Sequence, residues 1–169
     1  MVEEQNIRGR KMKLEKQNVL FFSRTMGMGG TSNVMIQLCE ILKPRVNKII
    51  VCSTGGPMVK TLEEMGIEHI QIDDVGTHTF KTFFNILKQV SHIIKEYKIT
   101  VVHTHHRMAA FYTAVLKKKY KFIYINTSHN TFYNSKFMTR FAYKRANLIA
   151  CGEMVKKNLV NYFGIPEHK

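Results

Sequence analysis

Acid is the scarcest chemistry in this chain of 169 residues: 12 Asp and Glu stand against 26 Lys and Arg, and Asp occurs only as Asp73 and Asp74. Glycoside hydrolysis by paired carboxylates therefore lacks its acids, and no Ser-His-Asp or Cys-His-Asp set is readable. Cysteine is nearly as thin. Cys39, Cys52 and Cys151 are odd in number and have no paired spacing, which excludes a disulfide framework and implies reduced thiols in a cytosol. No apolar run approaches the roughly 20 residues of a membrane span. The start, Met1-Val2-Glu3-Glu4-Gln5, lacks the basic and apolar stretches of a signal peptide. Ordinary Gly and Pro content with 44% hydrophobic residues excludes collagen-like, mucin-like and disordered chains. A single soluble cytoplasmic domain is what these absences leave, long enough to bury its own core.

The net charge of +14 is unevenly placed: residues 1–80 net +1, residues 81–116 net +4 and residues 117–169 net +9. The positive second half suits nucleic acid, an anionic membrane surface or a phosphorylated substrate, and equally a solvated surface with no partner.

Residues 1–17 are mostly polar, have no apolar period and read as a flexible extension. Met12 is a second candidate start beside Met1. From residue 18 onward, β-rich runs at 18–23, 47–53, 68–73, 100–105, 121–127 and 148–151 alternate with helical stretches at 30–42, 57–65, 80–97, 107–119, 135–145 and 153–163. The stretch at 80–97 has the clearest helical period, with Phe83, Ile86, Leu87, Val90, Ile93, Ile94 and Tyr97 three and four apart. Val19-Leu20-Phe21-Phe22 and Ile49-Ile50-Val51 are continuously apolar, as strands buried on both faces are. The alternation predicts an α/β fold: a Rossmann-like, doubly wound parallel sheet of about six strands flanked by helices.

Ligands bind outside the carboxyl ends of the strands in such sheets, and polar, glycine-rich and histidine-rich residues gather there. The first loop, Gly27-Met28-Gly29-Gly30-Thr31, opens a helix where backbone N–H groups can meet a phosphate; a plain tight turn is the other reading. Ser32 occupies the third glycine position of a dinucleotide fingerprint and no acid ends the second strand, so NAD is disfavoured. No Gly-Lys-Ser/Thr is present, so a P-loop is excluded. His103, His105 and His106 end the fourth strand, with His103 and His105 on one face. Zinc binding, substrate contact and a buried structural role are all open to them, although no acid converges and Arg107 would repel a cation. His129, between Ser128 and Asn130, is placed either to donate to a sugar hydroxyl or leaving phosphate, or to cap its loop.

Lys117-Lys118-Lys119-Tyr120-Lys121 closes a helix, and downstream Phe132-Tyr133, Phe137, Arg140, Phe141, Lys144 and Arg145 mix aromatic and basic groups. The basic members (Lys117, Lys118, Lys119, Lys121, Arg140, Lys144, Arg145) suit an anionic membrane face. RNA is the weaker partner because no recognition motif accompanies them, and aromatics in the core with solvated cations is the plainest reading.

Together these residues resemble the N-terminal domain of a GT-B glycosyltransferase of the retaining family 4 type, from Asn18 to the end of the chain. Gly29-Gly30-Thr31 is similar to the family's glycine-rich first loop. Thr100-Val101-Val102-His103-Thr104-His105 is similar to its fourth strand, with Thr100 in place of the usual acid. Asn126-Thr127-Ser128-His129-Asn130 is similar to its T-x-H-[DN] stretch. Ala146 to Glu153, then Lys157 and Gly164-Ile165-Pro166, resembles the segment leading into the second domain, with Gly152 in place of the usual Ser.

The resemblance implies that Gly29, Gly30 and Thr31 approach the diphosphate of a nucleotide-sugar donor. It implies that His129 works at the reaction centre and that His103, His105, His106 and Arg107 lie on the acceptor side. It further implies transfer with retained configuration and no divalent metal. In that family a second domain supplies most nucleotide contacts, a basic pair and a Glu-x7-Glu motif. The expectation is accordingly an acceptor-binding half, inactive alone, with the donor-binding domain absent from this chain. Its acceptor would be a glycan or lipid-linked sugar of cell-surface polysaccharide or glycolipid synthesis, met at the inner face of the cell membrane. The alternative is a non-catalytic module that holds a phosphorylated ligand or partner protein and forms a homodimer through apolar surface.

Overall fold

The computed structural model describes residues 5–7 and 10–167. Near the start, β1 (Gln5–Ile7) and β2 (Arg10–Met12) form an antiparallel ribbon of their own, followed by a 3-10 turn at Leu14–Lys16. The candidate start at Met1 lies outside the described residues, as do residues 1–4 and 8–9 of the expected flexible extension.

The main body alternates strand and helix. The elements are β3 (Asn18–Phe22), α1 (Gly30–Leu42), β4 (Lys48–Ser53), α2 (Val59–Glu64), β5 (Glu68–Gln71), α3 (Phe80–Glu96), β6 (Val101–Thr104), α4 (Arg107–Leu116), β7 (Ile123–Ser128), α5 (Lys136–Tyr143), β8 (Asn147–Ala150) and α6 (Glu153–Lys157). A π turn at Asn158–Tyr162 continues α6. Six strands form one all-parallel sheet in the order β5-β4-β3-β6-β7-β8. The chain winds outward from β3 to β5, then returns to β6 on the other side of β3. Between β3 and β6 the winding reverses direction, which opens a crevice at their carboxyl ends.

Burial on both faces of the sheet follows from strand alternation. Val19, Phe21, Ile49, Val51 and Val101 pack with Met35, Ile36, Cys39 and Leu62 from α1 and α2. Leu20, Phe22, Ile50, Cys52, Val102 and Tyr124 face the opposite way, onto α3, α4, α5 and α6. Helix α3 buries Ile86, Val90, Ile93 and Ile94, one stripe at helical spacing, and Thr79 caps it by accepting from the Thr82 N–H at 3.1 Å. Inside this core the Cys39 thiol is pushed up to about 12, chiefly by burial, so it stays protonated.

Helix α1 has the bounds read from sequence, and the other helical stretches have shorter ends. The 107–119 stretch stops at Leu116, because Lys119 and Tyr120 both return their N–H groups to the Leu116 carbonyl and close a turn. The last stretch splits into α6 and the wider π turn.

Candidate functional site

The loops after β3 and β6 meet at the crevice and line a cleft of about 350 Å³. Its floor is the start of α1. Gly29 is the helix N-cap and no side chain caps it, so the N–H groups of the first turn have no side-chain acceptor there. The first intrahelical bond runs from Asn33 N–H to the Gly29 carbonyl, 3.0 Å. Gly29 has an extended backbone, and a Cβ on Gly29 or Gly30 would meet open space. Neither packing nor conformation demands glycine at these two positions. Bare backbone is what their side-chain absence leaves in the cleft.

A different glycine holds this loop in place. Gly56, at φ +143°, passes so close to Met26 that a Cβ would stand 2.4 Å from the Met26 carbonyl oxygen. The loop after β4 thereby backs the loop after β3, with Thr54 N–H on the Arg24 carbonyl (2.9 Å), Met26 N–H on the Gly55 carbonyl (2.8 Å) and Met58 N–H on the Met26 carbonyl (3.0 Å).

Histidines form the other wall. Strand alternation points His103 and His105 to one side, with ring centroids 4.3 Å apart, and the Phe21 ring lies against both. His103 Nε2 pairs with Thr127 Oγ1 at 2.8 Å, and His105 Nδ1 pairs with His129 Nε2 at 3.0 Å. Burial drives His103 down to about 4, with help from His129, and His105 down to about 2, with help from His103 and His129. Burial also lowers His129. These rings are neutral at pH 7 and work as hydrogen-bonding groups, not cations.

One proton assignment fits the pair better. His105 Nε2 is buried without a partner. A stranded N–H costs more than a stranded lone pair, so Nε2 is the bare nitrogen and His105 Nδ1–H donates to His129 Nε2. The half-buried His129 then keeps its proton on Nδ1, as a donor.

His106 caps α4 by accepting from the Met108 N–H at 3.2 Å, and it lines the cleft. Burial lowers it to about 4, with Arg24 and Arg107 adding to the effect. Arg107 is directed elsewhere: its Nη1 donates to Asn134 Oδ1 at 2.7 Å, and its guanidinium lies over the Phe132 ring at 4.2 Å. The structure thus brings Gly29, Gly30, Thr31, His105 and His106 to one cleft, with His129 paired behind it. His103, buried like His105, does not line the cleft, and Arg107 lies outside it.

Arg24, Ser23, Ser32 and Asn130 also line the cleft, although the sequence reading gives none of them a site role. Arg24 forks onto Asp74, with Nε to Oδ1 at 2.8 Å and Nη2 to Oδ2 at 2.9 Å, and this holds Asp74 below the usual carboxylate range. Arg24 lies in the strand-end loop, but its partner Asp74 is fifty positions away and no local signal pairs them.

Beside the cleft is a groove of about 370 Å³ whose walls include Phe80, Phe83, Phe84, Met108, Phe111 and Met138. Phe80 is 88% exposed there. The two hollows adjoin, since His106 faces one and Met108 the other, while Asp74 holds Arg24 and Thr77 lines the groove.

The basic set lies mostly at the far edge. Helices α4 and α5 carry the chain back to the amino ends of the strands, which puts Lys117, Lys118, Lys119, Lys121, Lys144 and Arg145 opposite the cleft. The Lys117 ammonium donates to the Phe122 carbonyl, and burial lowers its pKa. Lys118 lies over the Phe141 ring, 5.3 Å from its centroid. Arg140 and Lys144 line a separate groove of about 620 Å³ with Phe137 and Phe141.

Among the described residues no group of three His, Cys, Asp or Glu side chains is placed to hold a metal, and no helix is long and apolar enough to cross a membrane.

The family model of Glycosyltransferase Family 4 matches residues 28–169, from the cleft's glycine loop to the end of the chain. The chain belongs to glycosyltransferase family 4. No curated protein sequence matches it significantly. Among solved structures it is similar to a glycosyltransferase from Rickettsia africae ESF-5 at 25% identity and TM-score 0.78, covering 91% of this chain and 41% of that one. It is also similar to Anabaena Alr3699/HepE, solved in complex with UDP, at 15% identity and TM-score 0.70, covering 90% and 42%. The UDP-GlcNAc 2-epimerase of Neisseria meningitidis bound to UDP-GlcNAc shares the fold at 16% identity and TM-score 0.61, covering 90% and 44%. The domain is therefore a Rossmann-like half of the GT-B type, and it spans about two fifths of the length of the structures it resembles.

Proposed function

We propose that this family 4 domain is the acceptor-binding half of a retaining glycosyltransferase. It would receive a glycan or lipid-linked acceptor and meet a nucleotide-sugar held mainly by a second domain. The observation that carries the reading is the convergence, at one crevice, of an uncapped helix start without side chains and a neutral His105–His129 pair. Bare N–H groups of the α1 first turn suit the diphosphate of a donor. A neutral His129 with its proton on Nδ1 suits donation to the donor sugar or the leaving phosphate, where charge develops in the transition state. HepE and the Neisseria epimerase are described with UDP and UDP-GlcNAc bound, which supports a nucleotide-sugar as partner.

The acceptor class draws on the hollows beside the helix start. Arg24 and His106 offer polar contact, and the adjoining apolar groove with Phe80 and Phe84 suits the hydrocarbon part of a lipid-linked sugar. This favours cell-surface polysaccharide or glycolipid synthesis on the cytoplasmic face of a membrane, with the basic residues of the far edge as a separate contact for anionic lipid. No resident metal belongs to the reading.

The test is a transfer assay on the longest protein that carries these residues, with a panel of labelled nucleotide-sugars and a membrane-lipid extract as acceptor. Expected are transfer by that protein, a fall of about 10²-fold or more in His129→Ala, and none from the 169 residues alone. Unchanged kcat in His129→Ala would remove His129 from the reaction, and full turnover by the 169 residues would overturn the division into halves.

A further inference from the structure

The loop that carries His129 and Asn130 away from β7 is tied down by side chains from two helices. Asn158, which is buried, grips one residue of it at both ends: the Phe132 N–H donates to Asn158 Oδ1 at 3.0 Å, and Asn158 Nδ2 donates to the Phe132 carbonyl at 2.9 Å. This two-point contact copies the pairing a neighbouring strand would give, on a segment that has no strand partner. One turn on, the Tyr162 hydroxyl donates to the Tyr133 carbonyl at 2.6 Å. From the other side Arg107 holds Asn134 and covers the Phe132 ring. Residues 132, 133 and 134 are therefore each held by a side chain from outside the loop.

Two backbone features point the same way. Ser135, where the loop enters α5, has φ +49°, a conformation that a residue with a Cβ keeps only where its surroundings dictate it. Asn158 and Tyr162 are the first and last residues of the π turn, with Phe163 N–H reaching back to the Asn158 carbonyl at 3.2 Å. A π turn is a poorer helix than the α form and concentrates at functional sites. Here it presents both gripping side chains to the loop.

We propose that Asn158, seconded by Tyr162, is a positioning residue that holds His129 against His105 from outside the cleft. Phe132 is three residues beyond His129, so a displacement of the final helix is passed to the imidazole through the Asn158 grip. The His105–His129 contact fixes which His129 nitrogen carries the proton, and the grip preserves that contact. The function assigned to the positioned ring rests on the glycosyltransferase reading; the positioning itself does not.

The test uses the 169-residue chain with 15N-labelled histidine. In the unaltered chain the His129 ring titrates below the ordinary histidine range, in one tautomer, and the Phe132 amide exchanges slowly. In Asn158→Leu, His129 is expected to titrate nearer pH 6.5 with mixed tautomers, and Phe132 exchange to quicken about tenfold or more, with far-UV circular dichroism unchanged. A lowered melting temperature with unmoved His129 titration and tautomer would overturn the proposal, because Asn158 would then be only structural. Should Asn158→Leu fail to fold, Tyr162→Phe, which is of nearly native size and adds no charge, is read the same way with smaller shifts. None of these readouts depends on transfer, so they stand apart from the fate of His129→Ala in the activity assay.

Discussion

The two edges of the sheet hold polarity in opposite ways. At the carboxyl edge the histidines beside the cleft are buried, neutral and hydrogen-bonded, Arg24 is forked onto Asp74, and Arg107 is held by Asn134. At the amino edge Lys117, Lys118 and Lys119 are charges laid over Phe122, Phe141 and Tyr120. Net charge draws attention to the second edge, while the groups able to steer a reaction lie at the first. A low-dielectric crevice strengthens each oriented dipole within it, whereas exposed cations are screened within about 10 Å at ordinary salt. The count of charges and the placement of chemistry are separate facts about this molecule.

The sharpest way to break the contrast is through backbone. Gly56→Ala forces a Cβ against the Met26 carbonyl at a positive φ, and should cost about 2–4 kcal/mol while loosening the glycine loop. Lys119→Glu at the other edge should change stability by less than about 0.5 kcal/mol. Urea unfolding of both variants measures this, and equal losses would erase the distinction between a built edge and a solvated one.

Protonation separates the edges next. His103 and His105 have folded pKa values below their unfolded value near 6.5. The unfolded chain therefore binds more protons, and the stability these groups contribute is present above about pH 6.5 and lost as pH falls. Between about pH 6.5 and 4 the loss should approach about 1 kcal/mol per pH unit for each buried ring. His103→Gln, which keeps a hydrogen-bonding group beside Thr127, should flatten that slope. Denaturant midpoints at pH 7 and pH 4.5 decide it, and an unchanged slope would mean that the histidine wall is solvated.

The smallest effect concerns the amino edge. Lys118→Glu with Lys119→Glu should weaken binding to vesicles of anionic lipid by about 1 kcal/mol for each cation removed, an effect that fades with added salt. Binding that ignores both the substitutions and salt would remove the membrane role proposed for these residues.

Much of the fold was legible in the chain. The continuous apolar runs at Val19–Phe22 and Ile49–Val51 became central strands, and the Phe83-to-Tyr97 period became α3, because burial on two faces or one stripe leaves a direct imprint on residue order. The glycine loop and the histidine-bearing strand ends were legible too, since a parallel sheet obliges its carboxyl ends to carry the polar loops. Arg24 was not, because its value comes from Asp74, fifty positions away. The shortened α4 and the π turn were missed because hydrophobic period does not record how a helix ends.

The sequence by itself determined the class of this protein: alternating apolar strands and amphipathic helices, with reactive residue types confined to strand ends, admit few architectures. Tertiary structure alone decided the rest. It chose which nitrogen of His105 meets His129, turned Arg107 from the cleft to the loop beyond it, and set Asn158 on Phe132 from 26 positions away. These choices depend on distances of about 3 Å between residues remote in the chain, and such distances exist only once the sheet has brought β3, β6 and β7 side by side.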